Sequence, residues 1–165
     1  MTSLISEAAT PAAVIDAFRH HRFAHFACHG TLEAGKPFDT GFKHSGDGRL
    51  TTLEITRSHL PAAEFAFLSA CHTAEVTEGG TIDEGLHLAA AVQYSEFRSV
   101  LGRMWAMMVD EDGRDLAEHF FKFKTGAGRP YYEISAKSLQ VAVKKLRRER
   151  RITLERWVNF VHDGA

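Results

Sequence analysis

Two short apolar runs constrain this chain more than any other feature. Residues 23–28 (FAHFAC) and 64–70 (EFAFLSA) are nearly continuous in apolar side chains and then stop. Runs of this length point to strands buried on both faces of a parallel sheet. Each stops at a Cys-His pair: Cys28-His29-Gly30 after the first, Cys71-His72-Thr73 after the second. Residues 98–108 (RSVLGRMWAMM) read as a third strand.

Helical patterns separate these runs. Residues 11–21 read as a short helix, with Thr10 as its cap and Pro11 at its first position. Residues 52–60 form a weak helix or turn stopped by Pro61, and 83–96 form a helix with acidic residues at its positive end. Residues 112–123 carry Leu116, Phe120 and Phe123 at helical spacing. Residues 133–150 form a long amphipathic helix with Ile134, Leu139, Val143 and Leu146 inward, and 157–161 (WVNFV) read as a last strand. Residues 31–49 read as a long loop with a hairpin around Gly46-Asp47-Gly48. Strands alternating with helices imply an α/β fold with a mostly parallel sheet, and 165 residues suit a single domain over 1–165.

Composition removes several function classes. Lys+Arg number 20 and Asp+Glu 21, so nothing demands a nucleic acid, an anionic membrane or an acidic substrate. Two cysteines make no disulfide framework. No apolar run approaches the ~20 residues of a membrane span, and residues 1–13 lack the basic and apolar regions of a signal peptide. A reducing cytoplasm is therefore the expected compartment. The basic run 144–151 (KKLRRERR) reads as a solvated helix end.

The chemistry lies where the two runs stop. In open α/β sheets, sites form beyond the carboxyl ends of the strands. If the two strands are parallel neighbours, about 4.8 Å apart, His29 and Cys71 emerge at one edge. A thiol attacks as its thiolate, and a neighbouring imidazole can take its proton and later protonate a leaving amine. The resulting oxyanion needs fixed donors. The backbone N–H groups of Gly30 and Cys71 are expected to supply them, both lying at strand ends outside the ladder. His25 reads as a core histidine or as a partner of His29 on the same strand face. His72 should turn away from the site. Cys28, Cys71, His29 and His72 match no zinc spacing, so neither metal nor cofactor is expected.

Taken together, FAHFACHG, GRLTTLEI, FAFLSACHTAE, DEGLHLAAAVQY and SVLGRMWAMMVDED resemble the CHAT domain, with AKSLQVAVKKLR and WVNFVHDG completing the pattern over residues 22–164, after a leading helix in 1–21. CHAT domains are caspase-like cysteine peptidases related to separase and metacaspases. The resemblance implies a caspase-like three-layer α/β/α fold, here lacking the first strands of the full domain. It implies His29 as base, Cys71 as nucleophile and the backbone of Gly30 and Cys71 as oxyanion donors. Asp110 is the implied pocket residue. The roughly 40 residues between His29 and Cys71 compare with about 50 in caspases. The implied partners are a protein or peptide substrate and a repeat or nucleotide-binding sensor module. The alternative is a catalytically inactive signalling or interaction module of the same fold. Glu96-Phe97 and Trp105-Ala106 depart from the family's small Ala-Gly pair and its Trp-Pro turn, and are expected at the pocket rim.

Overall fold

A computed structural model describes residues 2–31, 39–43, 48–69, 84–103, 110–123 and 131–164. A short 3-10 turn at Ser6–Ala8 leads into helix α1 (Pro11–His20). The Thr10 hydroxyl caps α1 by accepting from the Ala13 N–H at 3.2 Å, and Pro11 fills the first turn, where no donor is required. Strand β1 (Phe23–Phe26) is followed by β2 (His29–Thr31), β3 (Gly41–Lys43), β4 (Arg49–Thr51) and helix α2 (Thr52–Arg57). Thr51 and Glu54 close a capping box on α2. Then come β5 (Phe65–Leu68), α3 (Glu84–Tyr94), β6 (Ser99–Arg103), α4 (Asp110–Lys122), α5 (Tyr131–Arg150), α6 (Leu154–Val158) and β7 (Phe160–Gly164).

The central sheet has the order β1-β5-β6-β7. The first three strands are parallel, and β7 closes the sheet antiparallel to β6. Helices cover both faces. Alternation along β5 sends Ala66 and Leu68 to one face and Phe65 and Phe67 to the other. The first face packs with Val14 and Phe18 of α1, Ile55 of α2, and Leu88 and Val92 of α3. The second packs with Leu116 and Phe120 of α4 and with Leu139, Ala142 and Leu146 of α5. Phe65 and Phe67 are at most 1% exposed, and burial of each stabilises by about 1.5–3 kcal/mol. The result is a three-layer α/β/α fold, as the sequence implies.

Three local expectations are corrected. The run 23–28 is a strand only as far as Phe26; His29 belongs to a second, three-stranded antiparallel sheet, β2-β3-β4. Its β3–β4 arm is the hairpin expected around residues 46–48, with Lys43 opposite Arg49. Residues 157–161 are not one strand: Trp157 and Val158 end α6, and β7 begins at Phe160. Glu96-Phe97 lies away from the pocket rim, because it precedes Ser99 at the amino end of β6. Phe97 is 1% exposed and meets Phe18 edge-on.

Candidate active site

Parallel pairing puts Phe26 opposite Leu68, so β1 and β5 finish at one level of the sheet. The Ser69 N–H donates to the Phe26 carbonyl at 2.9 Å and carries the pairing one residue further. The Ser69 hydroxyl donates to the same carbonyl at 3.1 Å. The His25 Nε2 lies 2.6 Å from that hydroxyl oxygen. Because the hydroxyl's hydrogen is already committed, the imidazole carries its proton on Nε2 and donates it to Ser69. A relay His25–Ser69–Phe26 thus ties the two strand ends together. His25 keeps part of its surface open, but its ring meets Phe67 edge-on at 4.9 Å and Phe121 at 5.9 Å. This local burial lowers its pKa from 6.5, which favours the neutral ring.

From this rim the chain reaches His29 three residues after Phe26. In sequence Cys71 follows Leu68 by the same interval, but Cys71 lies outside the described residues, as do His72, Trp105 and Ala106. His29 opens β2 opposite Lys43 and is exposed. Gly30 is buried at the centre of β2, opposite Phe42, and not in a loop beyond a strand. The small sheet is pinned to the rim by Phe42, which is fully buried and stacks on Phe26 at 4.3 Å.

On the neighbouring strand, β6 ends at Arg103, which is 8% exposed, with its guanidinium 5.3 Å from the Phe160 ring. Gly113 of α4 makes room for it: a Cβ there would lie 1.6 Å from the guanidinium. The amino end of α4, opened by Asp110, therefore adjoins the same rim.

A family model described as the CHAT domain matches residues 1–165. The chain belongs to the CHAT family. No curated protein matches it. The matched region takes in α1 as well as the segment from 22 onward that carries the sequence resemblance.

In this CHAT domain Cys28 is an unsuitable nucleophile. It is partly buried against the α1–α3 face, and burial pushes its thiol up to about 12, so it stays protonated at neutral pH. Among the described residues, no three His, Cys, Asp or Glu side chains cluster to hold a metal. No helix among them is long and apolar enough to cross a membrane.

Arg103 escapes the sequence reading, and for His25 the sequence offers a core place or His29 as partner but not Ser69. His25 bonds with Ser69 across the β1–β5 pair, and the chain leaves the main sheet after Phe26. The signal was available in the two runs: aligning FAHF with FAFL sets His25 opposite Phe67, two residues before Ser69. Arg103 gave no signal, since its neighbour Gly113 is distant in sequence.

Proposed function

We propose that this CHAT domain is a caspase-like cysteine endopeptidase using His29 as base and Cys71 as nucleophile. The observation that supports it is the in-register parallel pairing of β1 with β5. That pairing ends β1 and β5 at one level, three residues in sequence before His29 and before Cys71. In the proposed reaction, His29 accepts the thiol proton of Cys71, and the sulfur forms a bond to the scissile carbonyl carbon. The carbonyl electron pair moves to oxygen, where the N–H groups of Gly30 and Cys71 serve as donors. Collapse of this intermediate breaks the C–N bond, and His29 passes its proton to the departing amine. Water, deprotonated by His29, then cleaves the thioester and regenerates the thiol. Asp110, at the start of α4, is the proposed pocket carboxylate. The reaction needs a reduced thiol, which fits a cytoplasmic setting and a role within a signalling or effector protein.

His25 and Ser69 act as positioning residues in this scheme. The relay fixes the level at which both strands end, and an error of about 1 Å between base and nucleophile can cost about 100-fold in rate.

The deciding experiment treats the protein with panels of basic and acidic peptidyl electrophiles and locates adducts by mass spectrometry. Selective labelling of Cys71, with thiol-dependent cleavage of a peptide library that Cys71→Ala loses, is the expected result. A Cys71→Ala variant that cleaves like the parent rejects the reading. No labelling at Cys71, together with a stable protein partner, points instead to an inactive interaction module.

A further inference from the structure

Helix α5 buries Leu139, Ala142 and Leu146 and turns Lys144, Arg147 and Arg148 outward, and Arg151 just beyond it is exposed as well. The spacing i, i+3, i+4, i+7 lines these cations along about 10 Å of one helix face and its end. Neighbouring cations are engaged: Lys145 lies 4.0 Å from Glu149, and Arg150 lies 2.6 Å from Asp115. Lys144, Arg148 and Arg151 have no ion pair among the described residues. Arg151 sits just past the helix with φ +50, a place where glycine or asparagine is usual. An arginine is thus kept at a strained position and held out to solvent.

The stripe runs into an apolar surface. Arg147 covers the Trp157 ring at 4.4 Å, and Trp157 belongs to α6. On α6, Leu154 and Val158 stand one turn apart and are 59% and 40% exposed. Five residues are too few for a helix to persist alone, and Thr153 makes no side-chain cap. Instead, Arg156 grips the buried Asp112 carboxylate through two bonds of 2.6 Å. This ion pair, buried on the Asp112 side, holds out a short helix that exposes Leu154 and Val158 along with Glu155. Val158 also lies two residues before Phe160, which pairs with Arg103 at the carboxyl rim of the sheet.

We infer that the α5 stripe and α6 together form a docking surface for an acidic protein segment with aliphatic anchors. The cations select carboxylates, and Leu154 and Val158 receive the aliphatic side chains. A single-stranded nucleic acid is the poorer fit, because Arg147 already covers Trp157, and Leu154 and Val158 are aliphatic, which offers no stacking platform. A membrane is also the poorer fit, since two aliphatic side chains bury little in a headgroup layer. The surface does not depend on the His29/Cys71 reading, although its place at the rim would bring a bound partner close to that site.

The test uses the full chain and a fluorescein-labelled acidic peptide with glutamate throughout and leucine at every third or fourth position, read by anisotropy. Binding is expected that falls about tenfold for Lys144→Glu/Arg148→Glu and again for Leu154→Asp/Val158→Asp, with a matching loss when the peptide's leucines become serine. Raising salt from about 50 to 500 mM should weaken it further. Circular dichroism confirms folding, and Leu154→Ser replaces the double variant if that one unfolds. The inference is overturned by no binding, or by binding indifferent to Leu154. It is equally overturned if a single-stranded RNA or phosphatidylserine vesicles bind more tightly than the peptide.

Discussion

The two ends of the central sheet carry the same chemical device put to different uses. At the carboxyl end, His25 donates to Ser69, which donates to Phe26, and two parallel strands are fixed level with each other. At the amino end, His162 of β7 lies 2.7 Å from the Ser99 hydroxyl and 2.6 Å from that of Ser135, and the two hydroxyls lie 2.8 Å apart. Ser135 also donates to the Tyr132 carbonyl at 3.1 Å. This second network joins β6, β7 and α5, and both serines are fully buried. One network lies at the rim from which the chain runs on to His29; the other joins two fully buried serines to a half-buried histidine. The same pair of residue types thus serves positioning at one end and closure at the other, and its surroundings decide which.

The sharpest way to break this contrast is Cys71→Ala. It should reduce peptide cleavage by at least about 10³-fold without changing the melting temperature; retained cleavage would leave the carboxyl end with no special role. Next, His25→Ala should lower kcat/KM by about 10–100-fold through misplacement of the reacting groups. His25→Gln, which keeps an N–H donor, should recover part of the loss. If His25→Ala changes only the melting temperature, the two networks are alike and the distinction fails.

At the other end, Ser99→Ala should cost about 1–2 kcal/mol in a urea titration while leaving activity per folded molecule unchanged. Burial pushes both His25 and His162 below the ordinary 6.5, with Asp163 opposing the effect at His162. The unfolded chain therefore takes up these protons more readily than the native one. Stability should be full above about pH 6.5 and decline as pH falls through that value toward the lower native pKa values. His162→Gln should flatten part of that decline, as read by denaturation between about pH 7.5 and 5. The smallest effect is expected at Glu96, which holds φ +85 and pairs with the exposed His59 at 3.1 Å. Glu96→Gly should raise stability by about 0.5–1 kcal/mol, because relief of a left-handed non-glycine residue outweighs the loss of one contact with an exposed histidine.

Where one period or one buried run dominates, the sequence was readable. Strands β5 and β6 are buried at every position, and their apolar runs announce them. The inward face of α5 was seen only in part: Leu139 and Leu146 are buried, but Ser135 and Ser138 take inward places that a hydrophobic count passes over. The last turn of α6, Trp157 and Val158, reads as strand because the helix's anchor is Arg156 on Asp112, a contact 44 residues apart that no local window contains. The run 23–28 was read too far, since nothing in FAHFAC marks the step from one sheet to another after Phe26. For the site, the two runs located the rim, but the tie between them depends on register. Register emerges only once the strands are paired.

The stacking of Phe42 on Phe26 carries a consequence for His29. The imidazole does not ride on the main ladder; its aim comes from a small sheet seated by one ring lying on another. Ring faces can slide by a fraction of an ångström with little penalty, whereas a backbone ladder moves only in whole steps. The orientation of this histidine is thus a finely adjustable quantity, set by the size and tilt of two phenylalanines and separable from the stability of the sheet beneath.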